Sequence, residues 1–329
     1  MTDKKSVVPL LKKQTIMRKV MIATAPCIAG SVYFFGWRSL LVLAVACLSG
    51  FLTELFFCKK RGESATESVL VTGILYSLTL PPTIPLHIVV IGMVFAIALI
   101  KEVFGGFGKN IFNPAIAARC FSYVCFPLPM TSQWAEPARG IWGALAQWTT
   151  ASSSEFITSA TPMAVLKFDH AVPSFSDLLL GRIPGAMGVT SVLLILIGGI
   201  YLYYTNTANR KIIISLIASY FVFNQILSLL GNPSVPDGVR MVCGSGFLFG
   251  AFFMATDPIS APKTDTGRII YGIMIALFAT IMTNYSVFYN GFMFAILIGN
   301  MFAPIIDYAI TETQKQKKLK KQNTEGVIA

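Results

Sequence analysis

The sequence predicts an all-α integral membrane protein with about ten transmembrane helices. Hydrophobic residues make up 54% of the chain and charged residues only 12%, whereas a soluble domain carries roughly 25% charged residues. Apolar stretches of about 17 to 22 residues recur along the chain, separated by short polar breaks. At ~1.5 Å per residue, stretches of that length cross the hydrocarbon core of a bilayer as helices.

The predicted helices divide into two sets of five, separated by a long polar loop at residues 129–185. Because each set holds an odd number of helices, the second set is inverted in the membrane relative to the first. The first set covers residues 20–128 and the second residues 186–310, with a basic arm at 1–19 and a basic tail at 311–329. The predicted spans are residues 20–37, 39–57, 68–82, 86–104, 112–128, 186–204, 212–230, 241–257, 269–287 and 291–310.

Each set contains a glycine-rich break followed by a polar residue and proline, at residues 105–117 and 248–261. Proline removes a backbone donor, glycine lets the chain turn, and Asn or Asp before proline can cap a helix. These breaks are predicted to be matching positions of an inverted repeat whose broken central helices meet near the bilayer midplane. The alternative is a pair of ordinary helix starts at the membrane surface, and the proline-rich segment 81–85 has no evident counterpart.

The basic residues give the predicted orientation. The net charge is +11, but Lys and Arg lie in short clusters at the ends of spans, which is typical of a topology signal and not of a nucleic-acid surface. With ten spans every cluster falls on one side, so both termini are predicted to be cytoplasmic and the 129–185 loop to face outward. The six cysteines show no CxxC spacing, so no metal site is predicted.

The segment Glu155-Phe-Ile-Thr158-Ser159-Ala160-Thr161-Pro in the outward loop resembles the flavinylation motif of membrane redox subunits. The resemblance implies that the Thr161 hydroxyl forms a phosphoester with FMN, which a dedicated flavin transferase attaches outside the cytoplasm. Two positions depart from the usual motif, because Glu155 stands where Asp is usual and Ser159 where Gly is usual. Taken alone, such a tetrapeptide is also typical of a turn before a helix.

Further segments along the chain resemble the family that includes the B-type subunit of the sodium-translocating NADH:quinone oxidoreductase and the D-type subunit of the Rnf complex. The resemblance implies a bacterial inner-membrane subunit with covalent FMN, a second and non-covalent riboflavin, Na⁺ or H⁺ translocation, partner subunits and a quinone. Val189 replaces the family's usual Glu, which leaves the choice between the two complexes open. The segments are residues 78–92, 101–119, 181–191, 253–267 and 294–308.

Ionisable residues within apolar spans are costly and are therefore candidates for ion passage. Glu54, Glu102, Asp257 and Asp307 are the candidates here, each with a simpler alternative: Glu54 and Glu102 at the membrane interface, Asp257 as a cap, and Lys101 as the neutralising partner of a neighbour. Four further residues are candidates for close approach to a flavin or quinone, or equally for helix packing: Gly105, Gly106, Gly108 and Asn113.

Two functions remain open from the residues alone. A redox subunit needs the Glu155–Thr161 motif, whereas a solute channel or transporter with inverted repeats has no need of it. No strand-turn-helix with a GxGxxG pattern is present in the sequence, so no NADH site is predicted. Electrons are therefore expected to enter and leave through partner subunits.

Overall fold

The computed structural model describes residues 10–131, 134–138, 140, 142–150, 174–232, 235–244, 246–286 and 290–328, with side chains to residue 319. This part of the chain is mostly helical. The first half contains α1 (Thr15–Phe35), α2 (Arg38–Arg61), α3 (Ser68–Leu78), α4 (Leu86–Phe95) with a π-helical continuation (Ala96–Glu102), α5 (Pro114–Cys125) and α6 (Pro127–Thr131). The second half contains α7 (Phe175–Leu180), α8 (Val192–Tyr204), α9 (Arg210–Leu229), α10 (Gly238–Cys243), α11 (Phe247–Phe253), α12 (Asp265–Tyr285) and α13 (Gly291–Ile328).

Every predicted span contains helix, but the lengths differ from the prediction. Within the described residues, four helices are long and apolar enough to cross a bilayer alone: α2, α9, α12 and the Gly291–Leu319 part of α13. The third predicted span, 68–82, holds only the 11 residues of α3, which extend about 16 Å against a hydrocarbon core of about 30 Å. The fifth, 112–128, holds the 12 residues of α5, and the eighth, 241–257, contains parts of two short helices.

Local sequence explains where these short helices end. Pro81 and Pro82 follow α3, and proline cannot continue the hydrogen-bond ladder of a helix. Asn113 caps α5 by accepting from Ala115 N at 3.0 Å, with Pro114 at the first helical position. Gly246 begins α11 with φ at +72°, a backbone conformation that glycine adopts without strain.

The matching of the two sequence breaks was wrong. Residues 105–113 separate the fourth and fifth helical segments of the first half, whereas residues 254–264 separate α11 from α12, the third and fourth segments of the second half. By element order the counterpart of 254–264 is 79–85, the proline-rich segment for which no counterpart was predicted. The error arose because the breaks were paired by glycine and proline content, which does not record their order in the chain.

Contacts between helices repeat in chain order. In the first half α1 packs on α3, α2 on α4, and α3 on α5; in the second half α8 packs on α11, α9 on α12, and α11 on α13. The halves meet where α1 packs on α8 and where α5 packs on α13. At the α1–α8 contact a Cβ on Gly198 would overlap the backbone oxygen of Ala23. Small residues of this kind let two helix backbones approach closely.

Candidate cation and cofactor sites

The predicted flavin attachment segment lies outside the described residues. Glu155, Thr158, Ser159, Ala160 and Thr161 all fall within residues 151–173, between the two described stretches that end at Thr150 and begin at Ser174.

The described flanks of that segment lie at one end of the helix bundle. Before it, Thr150 N donates to Phe35 O at 3.3 Å, at the end of α1. After it, Gly188 N donates to Leu78 O at 2.8 Å, at the end of α3. Both flanks are therefore attached to the end of the bundle where α1 and α3 terminate.

Glu54 and Lys101 form a buried ion pair toward the other end of α2. Lys101 Nζ lies 2.6 Å from Glu54 Oε2, and Lys101 and Glu54 are 2% and 1% exposed. Thr66 donates to Glu54 Oε1 from its backbone nitrogen at 2.8 Å and from its hydroxyl at 2.7 Å. Since Glu54 is sixteen positions after Arg38 in α2, the pair lies roughly 24 Å along the helix from the end that holds the loop flanks.

Glu102 lies beside this pair and binds a different cation. Arg61 Nη2 donates to Glu102 Oε2, and Arg61 Nε donates to Glu63 Oε2 at 3.0 Å. One ligand atom from each of Glu54, Cys58 and Glu102 lies within 4.8 Å of the others. Cys58 was not among the sequence candidates, because Glu102 reaches the cluster from a helix far away in the chain. Arg61 and Lys101 supply positive charge to both carboxylates.

The N-terminal arm packs against the same end of the bundle. Strand β1 (Leu11–Lys12) pairs in parallel with β2 (Ala65–Thr66), with Lys12 opposite Thr66. Glu67 accepts from Gln14 N at 2.6 Å and from Arg18 Nη2 at 2.7 Å. The hydrogen bonds from the Arg18 guanidinium are the main reason that the pKa of Glu67 is held below its ordinary value. The arm thus anchors the short strand that carries Thr66.

A cavity of about 70 Å³ lies between the two halves. Its walls come from α1, α3 and α5 of the first half and from α8 and α11 of the second, and Lys101, Asn113 and Asp257 are among the lining residues. Phe107 and Asn110 line it as well, but Gly105, Gly106 and Gly108 are not among the lining residues. These glycines have φ values of +101°, +89° and +89°, so they serve the turn before α5.

Asn113 connects the halves at this cavity. Its side-chain nitrogen donates to Met254 O at 3.2 Å, and its backbone nitrogen donates to Asn300 Oδ1 at 3.1 Å. Asn300 is fully buried and donates to Tyr271 Oη at 2.8 Å. Sequence reasoning missed Asn300, although an amide within an apolar span is a signal that could have found it.

The two candidate aspartates accept hydrogen bonds around breaks in the second half. Asp257 accepts from Ser260 Oγ at 2.8 Å and from Ile259 N at 3.3 Å, which is a capping arrangement, the simpler of its two expected roles. Asp307 in α13 accepts from Lys263 N at 2.7 Å and from Thr264 Oγ1 at 2.6 Å. Asp307 therefore binds the turn that precedes α12. Neither contact tests a role in ion passage, which stays a prediction.

Comparison with known proteins identifies the family. A family model described as NQR2, RnfD, RnfE matches residues 9–316, from the first residues of the arm into α13. The chain belongs to this family. The matched region of this family member includes both halves and every described residue of the clusters above.

Curated relatives share one name, which makes each of them the B-type subunit of a Na(+)-translocating NADH-quinone reductase. The protein of this name from Azotobacter vinelandii is 35% identical over 298 residues, which cover 89% of this chain and 70% of the relative. The Klebsiella pneumoniae protein is 36% identical over 303 residues, covering 86% and 71%. The Pseudomonas aeruginosa protein is 35% identical over 302 residues, covering 89% and 70%.

Proposed function

We propose that this chain is the flavin-carrying membrane subunit of a respiratory complex that couples electron transfer from NADH to quinone with Na⁺ translocation. The observation that carries the proposal is the similarity to the B-type subunit of the Na⁺-translocating NADH-quinone reductase, at 35% identity over 89% of the chain. The buried carboxylates at Glu54, Glu102 and Asp257 are consistent with it, because hard oxygen ligands suit alkali cations. The D-type subunit of the Rnf complex belongs to the same family, so ferredoxin and NAD, or H⁺ as coupling ion, define the neighbouring alternative.

FMN is proposed to be attached covalently at Thr161, with Glu155, Thr158, Ser159 and Ala160 forming the motif that a flavin transferase recognises. The flanks of the motif support this arrangement, because Thr150 and Gly188 are hydrogen-bonded at one end of the bundle. The Glu54–Lys101 pair lies toward the other end. Flavin and cation sites would then lie on opposite sides of the membrane.

A non-covalent riboflavin is proposed for the cavity between the halves. The lining residues fit a flavin in chemical kind: Phe252 and Phe253 offer apolar faces, and Asn110 and Asn113 offer amide groups for the polar edge of an isoalloxazine. At about 70 Å³ the cavity is smaller than the roughly 300 Å³ at which ligand pockets begin. Binding a tricyclic ring therefore requires the two halves to separate. A bound flavin would supply one-electron transfer at this position.

The proposed membrane architecture is ten spans in two inverted sets of five, with broken helices at the third position of each set. The repeated contact order of the two halves supports this arrangement, because α1 meets α8 and α5 meets α13 as an approximate two-fold axis requires. Basic clusters then fall on the cytoplasmic side of a bacterial inner membrane, together with both termini. Partner subunits supply the NADH site and the electron acceptor, with a quinone as one candidate.

Glu54, Glu102, Asp257 and Asp307 are proposed as carboxylates of the Na⁺ pathway. Glu54, Glu102 and Asp257 lie on or next to the cavity between the halves, because Lys101, the partner of Glu54, lines it and Glu102 follows Lys101 in the chain. Asp307 lies at the turn before α12. Broken helices and carboxylates at such positions are the usual elements of cation sites in membrane transporters.

The test of the flavin assignment is covalent fluorescence. The wild-type chain is coexpressed with a flavin transferase, purified, and run on a denaturing gel beside Thr161→Ala and the matched control Thr149→Ala. Wild type and control are expected to fluoresce at the position of the chain, and Thr161→Ala is expected to be dark. A dark wild type in the presence of active transferase would contradict the proposal, and flux of a solute through the isolated chain would favour a transporter.

A further inference from the structure

The ammonium of Lys101 occupies a small cage of oxygen atoms. Its three partners are Glu54 Oε2 at 2.6 Å, Ser68 Oγ at 2.8 Å and Thr66 Oγ1 at 3.1 Å. An ammonium has three N–H donors, so all three are used within the cage. Each residue of the cage is buried, and neither Thr66 nor Ser68 was a candidate in the sequence.

The hydrogens of the two hydroxyl groups point away from the cation. The Thr66 hydroxyl donates to Glu54 Oε1 at 2.7 Å. Its contact with Ser68 Oγ at 2.7 Å then requires Ser68 to be the donor, because a hydroxyl carries one hydrogen. Both oxygens therefore direct lone pairs at Lys101 Nζ. A carboxylate and two hydroxyl oxygens with free lone pairs are the hard ligands that an alkali cation prefers.

The cage opens toward the cavity between the halves. Ser68 and Lys101 both line that cavity, and so does Asp257. Among the described residues, no Lys or Arg forms an ion pair with Asp257. The flexible four-carbon stem of Lys101 therefore has a polar cavity, with an uncompensated carboxyl group in its wall, into which the ammonium can withdraw.

We propose that Glu54, Thr66 and Ser68 form a Na⁺ binding site for which the Lys101 ammonium is a tethered, displaceable competitor. Na⁺ enters the cage when Lys101 moves into the cavity, and the return of Lys101 expels Na⁺. The proposal deepens the proposed function and rests on it, since it assigns a ligand set to a carboxylate of the suggested Na⁺ pathway. The net charge of the cage is unchanged by the exchange, because one monovalent cation replaces another.

The exchange is within reach of ordinary Na⁺ concentrations. A group on a short flexible tether competes at an effective concentration on the order of millimolar. Removing the tethered cation should therefore strengthen Na⁺ binding by about tenfold or more. Keeping a cation on the tether should leave Na⁺ binding weak.

The first experiment measures ²²Na⁺ binding to the purified holo-complex in a choline buffer. Lys101→Met removes the ammonium and keeps an unbranched side chain of similar length, and Lys59→Met is the control at an exposed lysine of α2. We expect Lys101→Met to bind Na⁺ at least tenfold more tightly than wild type and the control to match wild type. Adding Glu54→Gln should abolish the gain, and adding Ser68→Ala should reduce it. Unchanged affinity in a folded Lys101→Met variant, or a gain that survives Glu54→Gln, would overturn the proposal.

A second experiment needs no variant and covers the case in which Lys101→Met fails to fold. Wild-type complex is treated with acetic anhydride in NaCl or in choline chloride at equal ionic strength, and acetylation is measured peptide by peptide. Na⁺ should raise the acetylation of Lys101 and leave that of Lys59 unchanged. Equal acetylation of Lys101 in both salts would refute the exchange.

Covalent flavin is measured on the same samples to separate the two proposals. A flavin-free wild type that still shows the Na⁺ effects contradicts the proposed function and leaves the cage standing. A flavin-loaded wild type without Na⁺ effects contradicts the cage alone.

Discussion

The Glu54–Lys101 pair should show strong energetic coupling in a double-mutant cycle of Glu54→Gln and Lys101→Met. Each single change leaves one buried charge without its partner, at exposures of 1% and 2%, and breaking a buried pair in this way costs about 3–5 kcal/mol of the free energy of unfolding. The double variant removes both charges and keeps the hydrogen bonds from Thr66, so it should be less destabilised than the singles sum to. A coupling energy of about 2 kcal/mol or more follows.

The assay is unfolding of the purified chain in mixed micelles by titration with sodium-free dodecyl sulfate, followed by circular dichroism. Choline replaces Na⁺ throughout, because Na⁺ in the emptied cage would stabilise Lys101→Met. A matched control is the exposed pair of Lys211 and Asp265, whose atoms lie 2.7 Å apart with side chains 47% and 63% exposed. That pair should couple by less than about 1 kcal/mol. Additive effects of Glu54→Gln and Lys101→Met, within about 0.5 kcal/mol, would refute the placement of the pair in a buried cage.

Three further predictions concern other parts of the structure. Because the folded pKa of Glu67 lies below its ordinary value of 4.5, its bond to Arg18 stabilises the arm fully above that value and is lost as pH falls through the folded pKa; a spin label on the arm should stay immobile at pH 6 and become mobile only in stronger acid. Asp307→Asn should reduce Na⁺ stimulation of turnover more than flavin content, and equal loss of both would indicate misfolding instead. Gly198→Ala should destabilise the chain by about 1–3 kcal/mol in the same unfolding assay, because the new Cβ overlaps the Ala23 oxygen; an unchanged free energy would contradict the close α1–α8 contact.

The helices were largely predictable, because apolar stretches between polar breaks specify where helix forms in a membrane protein. Their lengths were not. The third span was extended to residue 82 because Leu80 is apolar, yet α3 ends at Leu78 ahead of Pro81 and Pro82. Hydropathy records which residues avoid water, but the end of a helix depends on backbone donors and caps.

The sites were predictable in part and for a physical reason. Buried acids such as Glu54 and Glu102 stand out in an apolar sequence, and Lys101 was named as a neutralising neighbour. Thr66 and Ser68 could not be found, because hydroxyl residues before a span are common and only the fold brings them to Lys101 Nζ. The roles of the glycines at 105–108 in cofactor binding stay predictions.

The attachment of flavin at Thr161 is the claim on which the redox function rests most directly, and peptide mass spectrometry of the native chain tests it. The chain is purified after coexpression with a flavin transferase and digested, and the peptide that spans residues 155–162 is sequenced by fragmentation. The account predicts that this peptide carries one FMN, joined with loss of one water, on Thr161. An unmodified peptide, or FMN on any other residue of the chain, would contradict it.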